Sequence, residues 1–407
     1  MKRKNIWLIL FVTFLLCSTF TIASSQKVEL NNSKAPINAD IKGNTLIVEN
    51  IRKRVFEVDT LGKIVWQKTG LNSPNDAEGL ESGNILISEF SSNRIIEVDE
   101  SGSIVWEYTG ISGPQDVERF SNGNTLITET LGSRVFEIDT FGNVIWEKTG
   151  LFWPIDAERI DNGNTLIVEN LGQRVIEVET GGSIVWQLSN LSNPVDVELL
   201  HDGTFLITES NPGRVVIVDN WGNILREIAN LSSPWDAERL ANGDIIIAEF
   251  ANERIFQINP DDEIVWEIID LQGPVDVERL PNLPPLPPEI TGPNAGEMFI
   301  PIYYNFTSTD PNSDRITYFV NWGDGTTNNW SPWQNSGENF WENHTWYLPT
   351  NYTILAKAKD NYGLESDWST FEIIIPRNKI FNCWFERLFA EFPLFFNICK
   401  KLLGFLE

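Results

Sequence analysis

A triplet Asp-(Ala/Val)-Glu recurs at Asp76, Asp116, Asp156, Asp196, Asp236 and Asp276, every 40 residues without one insertion. Pro stands two places before each Asp, from Pro74 to Pro274. The same register carries Glu49, Glu89, Glu129, Glu169, Glu209 and Glu249, then Arg54, Arg94, Arg134, Arg174, Arg214 and Arg254. Trp66, Trp106, Trp146, Trp186 and Trp266 stand near the end of a unit, with Arg226 the exception. So strict a period means that each unit is one small motif stacked on copies of itself.

Within a unit the text breaks into four short apolar runs, for example Asp76–Leu80, Asn84–Phe90, Arg94–Asp99 and Ser103–Tyr108, separated by turn residues. Runs rich in Ile and Val between such turns read as strands, and the three-and-four apolar spacing of a helical repeat is absent. Four antiparallel strands per 40 residues is the pattern of a β-propeller blade. The first unit lacks its Asp-x-Glu strand, and Val275–Leu280 is such a strand with nothing after it. Docking that last strand beside residues 44–69 closes the ring without an open edge. The expectation is all-β: a six-bladed propeller over 38–281, a proline-rich linker over 282–288, an immunoglobulin-like β-sandwich over 289–376 and a helical, amphipathic tail over 377–407.

The chain carries 57 Asp plus Glu against 30 Lys plus Arg, a net charge of −27, which disfavours phosphate backbones and excludes nucleic acid as the expected partner. Two His and three Cys rule out a His-rich metal cage or a disulfide framework. Lys2, Arg3 and Lys4 precede an apolar run that ends at Ala23-Ser24-Ser25, so residues 1–25 read as a signal peptide, with an uncleaved anchor as the alternative. Export agrees with N-x-S/T sequons at Asn31, Asn190, Asn230, Asn305, Asn329, Asn343 and Asn351.

A residue present in every unit is expected to hold units together. Glu49 and Arg54 are placed to face each other as an exposed cross-strand ion pair of small individual worth. The Trp of the fourth strand fills space between neighbouring blades, and Arg226 leaves one copy without that filler. The ring Asp76, Asp116, Asp156, Asp196, Asp236 and Asp276 has most chemical potential. Two readings stay open: the carboxylates converge on a hard, oxygen-liking ion such as Ca²⁺, or each caps the N–H groups of its own Pro-x-Asp turn. No other cofactor is expected.

Ligand recognition belongs at positions that vary between units. The residue between Pro and Asp is Asn75, Gln115, Ile155, Val195, Trp235 or Val275, and Phe152 and Trp153 share a loop of one unit. Trp153, Trp235 and Phe152, with Gln115 and Asn75, are candidates to stack on a sugar ring or anchor a protein; packing within the loops is the alternative.

The string Asp156-Ala157-Glu158-Arg159-Ile160-Asp161-Asn162-Gly163-Asn164-Thr165-Leu166, followed by Arg174-Val175-Ile176-Glu177-Val178, resembles the repeats of arylsulfotransferase-like and, more distantly, NHL propellers. Asp59-x-x-Gly62-x-x-x-Trp66 is similar to the quinoprotein (PQQ-type) docking motif, one residue shorter. The sulfotransferase likeness implies a catalytic His, but His201 falls in a turn without a partner constellation, so that chemistry is not carried over.

Pro281 to Pro288 read as an extended, semi-rigid spacer. Beyond it, Trp322-Gly323-Asp324-Gly325-Thr326 and Ala356-Lys357-Ala358-Lys359-Asp360-Asn361-Tyr362-Gly363 resemble a PKD-type immunoglobulin-like domain, which implies a spacer or adhesive module. Asp310, Asp314 and Asp324 are calcium candidates or ordinary turn residues. Phe381, Trp384, Phe385, Leu388, Phe389 and Phe392 share one helical face, so the tail contacts a membrane, a partner or the protein itself; Cys383 and Cys399 lie within it. The expected function is an archaeal or bacterial cell-surface binding or adhesion scaffold for a glycan or protein. The alternative is a propeller enzyme, whether sulfotransferase-like, lyase or quinoprotein, acting on a small extracellular substrate.

Overall fold

The structure, a computed structural model, describes residues 43–377. The leader, Asn31, Cys383, Cys399 and the tail from residue 378 lie outside the described residues. The chain is all-β apart from one 3₁₀ turn, Phe90–Ser92, among the described residues. Six four-stranded antiparallel sheets are followed by two three-stranded ones.

One sheet shows how a unit folds. Its strands are Pro74–Gly79, Ile85–Glu89, Arg94–Val98 and Ile104–Thr109. The second strand is buried at every position, which explains a continuous apolar run where a one-sided strand would alternate. The fourth is largely exposed and alternates. The tight turn before the fourth strand is made by a repeated Asp: Asp59 Oδ1 accepts the N–H of Leu61 at 3.0 Å and of Lys63 at 2.9 Å.

The ring closes as the repeat arithmetic expects. Pro274–Arg279 pairs with Thr45–Glu49, completing a sheet with Arg54–Val58 and Ile64–Thr69. Its other flank lies against Pro74–Gly79, so the innermost strands run round a central channel.

The Glu–Arg pairs exist in all six sheets, but they differ from the exposed pairs expected. Glu49, Glu89, Glu169, Glu209 and Glu249 are fully buried, and Glu129 nearly so. One oxygen of each meets the Arg opposite, as Glu89 Oε2 meets Arg94 Nε at 2.5 Å. The other accepts a backbone N–H from the loop that arrives from the preceding sheet and leads into the inner strand of its own: Asn72 on Glu89 at 2.6 Å, Phe152 on Glu169 at 2.6 Å, Gln272 on Glu49 at 2.6 Å. The pair therefore fixes the strand hairpin and the inter-sheet loop together, and its worth is that of a buried network.

Three of the five Trp bridge neighbouring sheets through the indole N–H, while Trp266 is buried with its Nε1 unpartnered. Trp66, Trp146 and Trp186 donate Nε1 to the carbonyls of Glu100, Thr180 and Asn220 at 2.9–3.1 Å. Arg226 does not leave a gap: its Nη2 donates to Asn259 O at 2.8 Å and to Asp262 Oδ1 at 2.8 Å.

The last two sheets pack face to face on one core. Glu289–Thr291, Ile302–Thr307 and Phe340–His344 form one; Ile316–Asn321, Asn351–Asp360 and Ser369–Ile374 form the other. Tyr304, Phe306, Tyr318, Trp322 and Trp346 fill the space between them. The proline-rich stretch is docked against this unit. Leu283 N–H donates to Asn312 Oδ1 at 2.6 Å, Asn312 Nδ2 to Pro281 O at 3.2 Å, and Leu286 N–H to Thr309 O at 2.9 Å.

Candidate functional site

An innermost strand is an edge. One flank pairs with the second strand, leaving a row of N–H groups toward the channel that must find acceptors. Asp76 and Glu78 lie two apart on a strand and therefore on one side of it. Each reaches the inner strand of the next sheet.

Asp76 Oδ2 accepts the N–H of Val117 at 3.0 Å, and Asp116, Asp156, Asp196 and Asp236 repeat the bond onto Ala157, Val197, Ala237 and Val277 at 3.0–3.3 Å. Asp276 completes the circle on Ala77 at 3.1 Å. A second ring runs in step. Glu78, Glu118, Glu158, Glu198, Glu238 and Glu278 accept the N–H groups of Arg119, Arg159, Leu199, Arg239, Arg279 and Gly79 at 2.7–3.0 Å. The Asp residues thus cap the neighbouring sheet and not their own turns; turn capping belongs to the Asp59 series.

These carboxylates line a channel of about 290 Å³. Burial pushes all of them above the usual carboxylate range, Asp116 to about 7 and Glu278 to about 7, and neighbouring carboxylates add to it for Asp236, which rises to about 7, for Glu78, Glu118 and Glu238, which rise to about 8, and for Glu158, which rises to about 7. Burial is also the leading cause for Asp76, Asp156, Asp196, Asp276 and Glu198, which move the same way. The channel therefore holds protons near neutral pH as well as N–H donors.

The variable residue between Pro and Asp is the extra residue of a β-bulge in every sheet. A bulge re-aims one side chain, so this position can change without disturbing the ladder. Asn75 and Gln115 are joined there: Asn50 Nδ2 donates to Asn75 Oδ1 at 2.7 Å, and Asn75 Nδ2 donates to Gln115 Oε1 at 3.0 Å. Ile155, Val195 and Val275 are buried. Trp235, half-buried, packs against the clusters that contain them and lies 6.2 Å from Phe250. Trp235 is thus held in packing, whereas Phe152 and Trp153 stand out, 62% and 36% exposed.

Trp153 has a second distinction, its φ of 59°. The same loop position needs a left-handed backbone in all six sheets and is filled elsewhere by Ser73, Gly113, Asn193, Ser233 and Gly273. Gly and Asn enter that conformation readily and Ser has only a small side chain to accommodate, whereas a bulky side chain there is a genuine outlier. The strained backbone is pinned by Asn170 N–H donating to Trp153 O at 3.1 Å.

His201 is exposed in its turn. His344 lies in the second unit, stacked on Trp322 at 4.8 Å with Nε2 2.8 Å from Asp324 Oδ2. Asp324 is therefore separated from Asp310 and Asp314, which gather with Asp360 instead. Of the sequons, Asn190, Asn230, Asn329, Asn343 and Asn351 are exposed, whereas Asn305 is half-buried and its Nδ2 donates to Thr307 Oγ1 and Asn339 Oδ1.

Repeated four-stranded sheets round a channel define a β-propeller. Residues 23–221, just under half of the chain, match a PQQ-type family profile described as outer membrane protein assembly factor BamB. The chain is similar to a protein of unknown function from Bacteroides caccae, at 16% identity and TM-score 0.52, over 58% of this chain and 98% of that one. It is also similar to virginiamycin B lyase from Staphylococcus aureus, at 17% identity and TM-score 0.45, over 68% and 95%. A PKD domain of an M14-like peptidase from a Thermoplasmatales archaeon is 44% identical over 24% of this chain and 99% of that one, with TM-score 0.23. No curated protein matches the sequence.

Proposed function

We propose that the protein is an exported six-bladed propeller coupled to a PKD-type module and works as a binding scaffold at the cell surface. Its partner in this reading is a glycan or a protein, held on the propeller face that carries Phe152 and Trp153. The observation behind it is Trp153, a large exposed aromatic kept at a left-handed position where five other copies carry Ser, Gly or Asn. Backbone strain retained at an exposed side chain points to recognition. The channel carboxylates, spent on neighbouring N–H groups, serve cohesion in this reading rather than Ca²⁺ binding.

The test is a glycan array and a surface-protein capture with the full exported chain, repeated with Phe152→Ala and Trp153→Ala. Binding lost in both variants, with unchanged melting, supports the reading. Binding that survives both sinks it, as does a melting shift with pyrroloquinoline quinone or an aryl sulfate, which would favour an enzyme.

A further inference from the structure

Asp310, Asp314 and Asp360 bring three carboxylates from two separate segments together, with one oxygen of each within 4.8 Å of the others. Hydrogen bonds occupy only part of them. Asp310 Oδ1 accepts the N–H groups of Asn312 at 2.9 Å and Asp314 at 3.1 Å. Asp360 Oδ1 accepts those of Tyr362 and Leu364, and its Oδ2 accepts Asn282 Nδ2 at 2.7 Å. Asp310 Oδ2 and Asp314 Oδ2 are buried without any partner, and Asp310 is only 4% exposed. No basic side chain among the described residues forms an ion pair with any of the three.

Buried carboxylates left unpaired are costly, and three in contact repel one another unless a cation lies between them. The donor set is oxygen alone, which suits a hard ion. An ion centred among oxygens no farther apart than these lies within about 2.8 Å of each, a reach that includes the 2.3–2.6 Å of Ca²⁺, and Ca²⁺ tolerates irregular carboxylate geometry where Mg²⁺ demands a near-ideal octahedron. We propose that Asp310, Asp314 and Asp360 bind Ca²⁺ at the junction of the two units. Asn282, whose Oδ1 also has no partner, stands beside Asp360 and places the linker next to the ion.

The experiment is a calorimetric titration of the EDTA-treated full chain with CaCl₂ and with MgCl₂, alongside melting curves. One saturable Ca²⁺ site, a higher melting temperature and at least tenfold weaker Mg²⁺ binding are expected. Asp314→Asn removes an oxygen that bonds nothing else, so the ion-free variant should melt no lower than the parent and bind Ca²⁺ at least tenfold more weakly. Asp156→Asn, in the channel, should titrate like the parent. Absence of a Ca²⁺ response in the parent overturns the proposal, as does an Asp314→Asn titration equal to the parent's or a loss confined to Asp156→Asn. Should Asp314→Asn fail to fold, Asp360→Asn answers the same question.

Discussion

Asp276 accepts the backbone N–H of Ala77 at 3.1 Å although 199 residues of chain separate them. It is the same bond that Asp76 makes to Val117 with a separation of 41, so the carboxylate ring does not register where the chain begins. Cohesion between sheets comes from three such devices: the channel carboxylates, the buried Glu that holds the loop arriving from the preceding sheet, and Trp66, Trp146, Trp186 or Arg226, which reach the next turn.

Glu169→Ala should be among the most destabilising single changes in the propeller. It strands Arg174 and the N–H of Phe152, both of which lean on that carboxylate. Breaking a buried pair on one side costs about 3–5 kcal/mol. Urea unfolding of the variant measures it; a loss below about 1 kcal/mol would mean that the pair behaves as an exposed one.

Arg226→Ala should cost about 1 kcal/mol, since it removes hydrogen bonds to Asn259 and Asp262 that are partly open to water. Arg226→Trp should recover most of that by restoring the indole donor found in other sheets. Thermal melts of the two variants side by side decide it, and equal melting temperatures would show that the inter-sheet donor is irrelevant.

Stability should fall as pH rises from about 5 to 8.5. The channel carboxylates ionise at about 7 to 8 in the folded protein and near 4 when unfolded, so the folded state binds more protons across that window. Their contribution is complete below the unfolded value and is lost as pH passes through the folded one. A decline in melting temperature of at least about 5 °C is expected, and Glu118→Gln should flatten it. A melting temperature that climbs over the same range contradicts the assignment.

Trp153→Gly should stabilise the fold by about 1 kcal/mol, because the left-handed backbone ceases to be strained. The same change should abolish partner binding, a trade of stability for function. Denaturant melts that show a loss of stability would remove the strain argument.

Asn312→Ala should free the proline-rich stretch, since Asn312 bonds both Leu283 N–H and Pro281 O. Limited proteolysis should then cut between 281 and 288 several times faster than in the parent. Unchanged cutting would mean that Leu286 and Thr309 hold the segment alone.

The repeat made the four-strand units and their closure legible, because period and turn chemistry depend on neighbours in sequence. Burial of Glu49 and its equivalents is not, since the loop whose N–H they accept arrives from the preceding sheet. The second ring is half-legible: the alternation of a strand puts Glu78 on the same side as Asp76, but the N–H it accepts belongs to another sheet. In sequence Trp153 is one loop aromatic among others, because the left-handed backbone it shares with Gly113 and Gly273 is a property of the folded loop. Asp360 joins Asp310 and Asp314 through pairing of distant strands, which no local pattern announces.

One sheet takes its strands from both ends of the propeller, and this sets a timetable. Thr45–Glu49 leaves the ribosome more than 200 residues before its partner Pro274–Arg279. Until then its flank is an open template for pairing with another chain. Ring formation is consequently a late, whole-chain event, and any truncation short of residue 279 should yield not a smaller propeller but an aggregating one.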